Sequence, residues 1–229
     1  MKKLIISLDG HSGCGKSTLA RLIAKHLKFT YIDTGAMYRA ITLFFVQNEM
    51  IGTDKKLKNG FQDILHKVNI DFINSKKDGK SLIRLNGKIV EKEIRTISIS
   101  NLVSHVSKKS LIRSKLVALQ QNYGFKENLV MDGRDIGTIV FPNAQIKFWI
   151  TASTEKRACR RFLEYQSNDS DIKYDQVLEN IIMRDKEDEN RKISPLVKPK
   201  NSIEIDNSDL DIDQTFQLAL SHINQFLST

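Results

Sequence analysis

Gly10-His11-Ser12-Gly13-Cys14-Gly15-Lys16-Ser17 stands between a short apolar run, Leu4-Ile5-Ile6-Ser7-Leu8, and a segment with helical spacing at Leu19, Leu22, Ile23 and Leu27. The glycines let the backbone curl so that successive N–H groups face one anion, and the following helix directs its positive dipole end at the same point. With a strand before it and a helix after it, this octapeptide reads as a phosphate-binding loop rather than a chance glycine turn. Gly10, His11, Ser12, Gly13, Cys14, Gly15, Lys16, Ser17 and the adjoining Thr18 are therefore expected to hold ATP. Lys16 reaches the β- and γ-phosphates in such a loop, and the Ser17 hydroxyl is the expected Mg²⁺ ligand.

Working outward, short apolar runs at 3–8, 29–32, 129–131, 146–150 and 203–205 read as buried strands, most of them separated by helix-period segments. Alternation of this kind predicts an α/β fold, a five-stranded parallel sheet with helices on both faces. Ligands on such sheets gather at the carboxyl ends of the strands. Those ends carry Asp9-Gly10, Asp33-Thr34-Gly35 and Asp132-Gly133-Arg134-Asp135, so three polar clusters converge on one rim.

Between 51 and about 98 the pattern changes. A helical stretch over 57–68 precedes an alternating Val68-Ile70-Phe72, an Asp78-Gly79 turn, a run at 82–85 and an Asn86-Gly87 turn, which together predict a small antiparallel meander. Helical period resumes over 99–123 with a break near Ser107-Lys108-Lys109-Ser110, and Gly124 is the expected stop. Ser167-Asn168-Asp169-Ser170-Asp171 reads as a mobile loop between a helix bearing Arg157, Arg160 and Arg161 and another beginning near Tyr174. A basic helix followed by a polar loop suits a lid over phosphates.

The chain has 229 residues, 40% hydrophobic and 28% charged, an ordinary balance for a soluble globular protein, and no apolar run approaches the ~20 residues of a membrane span. Cys14 and Cys159 lie far apart without metal-ligand spacing, which fits a reducing cytoplasm and excludes a disulfide framework. Cys14 is either a thiol activated by the helix N-terminus or a small side chain that fits the loop. The formal charge of +9 invites a nucleic-acid reading, but the lysines are scattered, several arginines fall inside motifs, and no recognition-helix or RNA-binding motif accompanies them. The five histidines form no metal-spaced pair, and no acyl-transfer triad is legible.

In Asp33-Thr34-Gly35-Ala36-Met37-Tyr38-Arg39, the Thr34 hydroxyl and the Arg39 guanidinium are able to hold a phosphate; a turn glycine with a surface arginine is the alternative. The density of charge and glycine in Asp132-Gly133-Arg134-Asp135-Ile136-Gly137-Thr138 directly after a buried strand argues for a site. Arg184, Asp188 and Arg191, spaced by four and three, share one helical face, either a solvated stripe or the completion of an arginine-rich set.

Taken in this order, the phosphate loop, the motif from Asp33 to Arg39, the motif from Asp132 to Thr138, and Arg184-Asp185 through Asn190-Arg191 resemble the bacterial cytidylate kinase family over nearly the whole chain. That resemblance implies a single P-loop nucleoside-monophosphate-kinase domain over 1–229, with a monophosphate-binding insert at about 40–100 and an arginine-bearing helical lid at about 154–174. It implies Mg²⁺-dependent phosphoryl transfer from ATP to CMP or dCMP by a cytoplasmic monomer that binds neither nucleic acid nor membrane. Thr34, Arg39, Arg134 and Arg184 match positions around the CMP phosphate and ribose, Ser104, Arg113 and Asp135 match cytosine-binding positions, and Asp188 matches the residue that holds the ribose hydroxyls. Lys16, Arg134, Arg157, Arg161, Arg184 and Arg191 match the catalytic set. The chain departs from the family's habit at His11, where proline is frequent, and at Cys14 and Thr34, where serine is common. Two rivals stay open at this point: a kinase for another small acceptor such as shikimate, and a polynucleotide-binding protein that uses the net charge.

Overall fold

The computed structural model describes residues 3–74, 81–166 and 172–228; the expected turn at Asp78-Gly79 and the loop at Ser167-Asn168-Asp169-Ser170-Asp171 lie outside them. All five predicted strands form: β1 (Ile5–Asp9), β2 (Thr30–Asp33), β6 (Leu129–Gly133), β7 (Ile146–Thr151) and β8 (Ile203–Asp206). They pair in the order β2-β6-β1-β7-β8, and every pairing is parallel. Strands covered on both faces need apolar side chains on both, and Ile6, Leu8, Ile32, Val130, Met131, Phe148 and Ile150 are wholly buried.

On one face α1 (Lys16–Leu27) packs against α8 (Ile212–Leu227), burying Leu19, Ile23, Ala219 and Ile223 with Ile6, Leu8 and Phe148. Asp211 starts α8 with a capping box, its carboxylate accepting from Gln214 N at 2.7 Å while the Gln214 side chain accepts from Asp211 N at 3.0 Å. On the other face lies α2 (Thr34–Gln47), capped by Asp33, whose carboxylate accepts from Ala36 N at 2.8 Å. This helix is buried nearly all round because the insert covers its outer side. That insert holds α3 (Phe61–Leu65) and a separate antiparallel sheet of β3 (Ile70–Asn74), β4 (Ser81–Leu85) and β5 (Lys88–Ile89). Asn86 and Gly87, both at positive φ, make the predicted β4–β5 turn.

The insert returns through a short 3-10 turn at Glu93–Arg95 to α4 (Ile97–Ser107) and α5 (Ser110–Lys126), which are split at Lys108-Lys109 as the sequence predicts. After β7 come α6 (Thr154–Gln166) and α7 (Tyr174–Asn190), packed on each other.

Three local expectations need correction. The helix predicted over 57–68 shrinks to α3, because Leu57 bridges back to Ile51 and Gly60, at φ 82, starts the helix late. Gly124 does not stop α5: the helix runs two residues further, and the glycine is needed for packing, since a Cβ there would lie 2.6 Å from the Phe141 ring. Arg191 is not on the helix with Arg184 and Asp188; it is the residue after α7, in an extended conformation. Among the described residues, no helix is long and apolar enough to cross a membrane.

Candidate active site

The parallel register brings the three polar strand ends together: Asp33 sits beside Asp132, and Asp9 beside Gly133. Above this rim opens a cleft of about 500 Å³. The loop residues Ser12, Gly13, Gly15, Lys16, Ser17 and Thr18 line one end of it. Thr34, Arg39, Ser104, Arg113, Arg134 and Asp135 line the other, and Arg161, Arg184, Asp188 and Arg191 close over both. Of the residues singled out from sequence, Gly10, His11, Cys14 and Arg157 stand behind this lining.

Those four show how the loop is supported. Gly10 passes so close to β7 that a Cβ would fall 2.0 Å from the Ile150 carbonyl oxygen. Cys14 is fully buried, its Sγ donating to the His11 carbonyl at 3.1 Å, which fits the space-filling reading rather than the reactive thiol. Arg157, expected among the phosphate-transfer arginines, instead spends its guanidinium on the carbonyls of Ala152 (3.0 Å) and Ser12 (3.2 Å) and on Asp185 (2.7 Å). Such fully committed donors anchor the loop to α6. His11 Nε2 meets Glu189 at 2.8 Å, and its ring packs edge-on against Trp149. From β8, Asn207 Nδ2 donates to the Cys14 carbonyl at 2.9 Å.

Lys16 donates to the His11 carbonyl at 2.5 Å, and burial, with Arg134 nearby, lowers its pKa. Ser17 Oγ donates to Asp132 Oδ2 at 2.7 Å, and Asp132 Oδ1 accepts from Tyr31 at 2.8 Å. Burial and the adjacent Asp33 push the Asp132 carboxyl up to about 6. Burial also pulls Asp33 upward, but Arg39, Arg95 and the Ala36 N–H outweigh it and hold its pKa down. A hydroxyl and a carboxylate side by side, at the phosphate end of the cleft, are the hard oxygen donors that Mg²⁺ prefers.

At the end of the cleft away from the loop, Arg113 and Asp135 form a buried ion pair. The Arg113 guanidinium also donates to the Ser107 carbonyl at 3.2 Å and lies 5.2 Å from the centre of the Tyr38 ring. Thr34 donates to the Asp132 carbonyl at 2.7 Å, and Arg39 meets Asp33 at 3.2 Å. Arg134 donates to Asp188 at 2.9 Å, while Arg191 reaches the other oxygen of Asp188 at 3.4 Å. Burial raises Asp188, yet Arg134, Arg191 and Arg184 outweigh it and keep it ionised. Burial, and then the neighbouring Arg134 cation, drive Arg184 down to about 10. Buried donor atoms without a partner include Arg39 Nε, Arg113 Nε, Arg184 Nε, Arg191 Nη2 and the Tyr38 hydroxyl.

Sequence reasoning missed several lining residues. Asp132 was visible within its motif but carried no role until the register placed it against Ser17. Arg95 comes from the insert and approaches Asp33 at 3.7 Å; in sequence its spacing from Glu91 reads only as a surface i,i+4 pair. Arg21 also lines the cleft, and nothing in its spacing announced it; Tyr38, inside the Asp33–Arg39 motif, and Arg160, on the basic helix, line it as well, though neither carried a role on sequence alone.

A sequence profile of the family described as cytidylate kinase matches residues 6–225. The chain belongs to the cytidylate kinase family. It is 48% identical to the cytidylate kinase of Flavobacterium johnsoniae over 98% of this chain and 97% of that one. It is 47% identical to that of Flavobacterium psychrophilum (98% and 99%), and 42% identical to that of Bacillus subtilis (98% of each). Cytidylate kinases are nucleoside monophosphate kinases, so the chain is a transferase of that class. A crystal structure of an uncharacterized protein from Eubacterium ventriosum shares the fold alone, at a TM-score of 0.51 and 13% identity over 98% of this chain and 99% of that one.

Proposed function

We propose that this cytidylate kinase transfers the γ-phosphoryl group of ATP to CMP or dCMP, yielding CDP or dCDP and ADP. The observation that carries the reading is the buried Arg113–Asp135 pair, which faces the same cleft as the phosphate loop. Cytosine presents acceptors at O2 and N3 and a donor at its 4-amino group, an edge that an arginine, a hydroxyl such as Ser104 and a carboxylate satisfy together. Uracil places an oxygen where the amine stood, so Asp135 would face an acceptor. The mismatch costs about 1–3 kcal/mol, or roughly 5- to 150-fold in discrimination.

The cleft's charge supports two phosphorylated ligands: among the described residues, ten basic side chains and five acidic ones line it. The acceptor phosphate has a second pKa near ~6, so its oxygen is already largely anionic at neutral pH and needs little help from a base. The protein's task is to neutralise and align. Lys16 exchanges its bond to the His11 carbonyl for the β- and γ-phosphate oxygens. Arg39 and Thr34 hold the acceptor phosphate, and Arg134, Arg161, Arg184 and Arg191 surround the group in flight. Ser17 and Asp132 are the residues that fit Mg²⁺, whose chemistry when bound is to neutralise the β- and γ-phosphate oxygens. The bond from the γ-phosphorus to the β,γ-bridging oxygen breaks as the bond to the acceptor oxygen forms. The insert (about 40–100) and the arm that begins with α6 (about 154–174) act as subregions that close on the core and exclude water, which would otherwise hydrolyse ATP.

Coupled ADP release with CMP, dCMP, UMP, AMP and shikimate in parallel, corrected for hydrolysis without acceptor, tests this reading. Turnover concentrated on CMP and dCMP is expected. Equal catalytic efficiency with UMP would remove the base-edge assignment.

A further inference from the structure

The motif Asp132-Gly133-Arg134-Asp135 is followed by one π-helical turn, Ile136–Val140, and Asp135 is the residue before its first turn position. An aspartate there ordinarily folds its carboxylate back to accept from the first free N–H groups of the turn. Asp135 makes no such bond; its carbonyl accepts from Ile139 N at 2.9 Å and Val140 N at 3.1 Å, while its side chain pairs with Arg113. The free N–H groups are satisfied from another strand. Asp9, at the end of β1 and wholly buried, accepts from Ile136 N at 2.6 Å through Oδ1 and from Gly137 N at 2.7 Å through Oδ2. The turn is packed closely enough that a Cβ on Gly137 would lie 2.9 Å from Pro199 Cγ and 3.0 Å from both Asp9 Oδ2 and Ser7 Oγ.

We infer that Asp9 is a positioning residue for recognition of the acceptor base: by capping the 136–140 turn from β1, it releases the Asp135 carboxylate to pair with Arg113 and face the cleft. Asp9 directly precedes Gly10, so one carboxylate ties the root of the donor loop to the turn that reads the acceptor. Without it, the uncapped N–H groups compete with Arg113 for the Asp135 carboxylate, which stands directly before them in the chain. An asparagine at position 9 keeps one acceptor but sets an amide N–H against the second backbone N–H, so it cannot replace both bonds.

This inference rests on the reading of Arg113 and Asp135 as the cytosine-edge pair, and its test separates the two. The ratio of kcat/KM for CMP to that for UMP is measured in wild type, Asp135→Ala, Asp9→Asn and Gly137→Ala, together with KM for ATP and the melting temperature of each. Gly137→Ala keeps the carboxylate but pushes the backbone off it, and so serves if Asp9→Asn does not fold. Asp9→Asn and Gly137→Ala are expected to lower the ratio by about tenfold, chiefly through KM for CMP, with KM for ATP within about twofold of wild type. A folded Asp9 or Gly137 variant that loses activity on both acceptors equally, while Asp135→Ala loses the preference, overturns the inference and leaves the base-edge reading intact. A wild type with no preference for CMP removes both.

Discussion

On the function proposed, the two ends of the cleft would hold phosphate by different constructions. At the donor end, the anion site is mostly backbone: one continuous stretch from Gly10 to Ser17, held from behind by Arg157, Cys14 and Asn207, with Lys16 as its cation. At the acceptor end there is no continuous stretch. Thr34 and Arg39 come from α2, Ser104 from α4, Arg113 from α5, Arg134 and Asp135 from the end of β6, and Arg184 and Asp188 from α7. Backbone N–H groups cannot be mutated away, so the donor end depends on its props; the acceptor end depends on each side chain and on the ion pairs that aim it.

That contrast breaks most visibly at Lys16, the donor-end cation that is a side chain. Lys16→Ala is expected to lower kcat by roughly 10²- to 10³-fold or more with little change in melting temperature, since the ammonium is buried and its hydrogen bonds among the described residues go to the His11 carbonyl and Cys14 Sγ within the loop. Stopped-flow or coupled turnover with CMP checks it, and near-normal turnover would contradict the role. Arg134→Ala, at the acceptor end, is expected to cost about 100-fold in kcat/KM for CMP, because Asp188 loses its closer partner and the acceptor phosphate loses a cation together.

Asp135→Ala sharpens the comparison by separating base from phosphate. It is expected to reduce the CMP-over-UMP preference by about 10- to 100-fold while leaving KM for ATP nearly unchanged. A smaller effect is expected from a donor-end prop: Asn207→Ala removes the hydrogen bond to the loop carbonyl of Cys14 and the one its Oδ1 accepts from Arg160, and KM for ATP is expected to rise about fivefold, with the CMP-over-UMP ratio unmoved.

Legibility in the sequence follows the same division. The loop, the five strands and the order of α and β were readable because each is a local pattern: a glycine motif, an apolar run, a helical period. The small insert sheet was readable from its alternation and its Asn86-Gly87 turn. Gly124 misled because a glycine that makes room for Phe141 looks in sequence like one that ends a helix. The contacts of Arg157 were not legible, because an arginine on a basic helix says nothing about which carbonyls it holds. Asp9, Arg95 and Asp132 acquired meaning only through parallel register and the return of the insert, contacts between residues far apart in the chain.

The mildest expected effect concerns pH. Burial, with Asp135 adding to it and the Ile136 and Gly137 N–H groups and Lys16 opposing, pushes Asp9 up to about 7 from an ordinary 3.8. A raised carboxyl binds its proton more tightly in the folded chain, so its contribution to stability is full below the unfolded value and is lost as pH rises through about 7. Wild type should therefore gain stability relative to Asp9→Asn by roughly 1 kcal/mol per pH unit as pH falls from 7 towards 5, read by denaturant unfolding at each pH. Parallel curves for the two proteins would show that Asp9 does not titrate there.

The most direct test of the whole account is phosphorus-31 NMR of the protein with ATP, Mg²⁺ and CMP. CDP and ADP growing in equal amounts, with inorganic phosphate far behind, is the predicted result. ADP and inorganic phosphate accumulating together without CDP would mean that the acceptor end of the cleft does not hold the acceptor assigned to it.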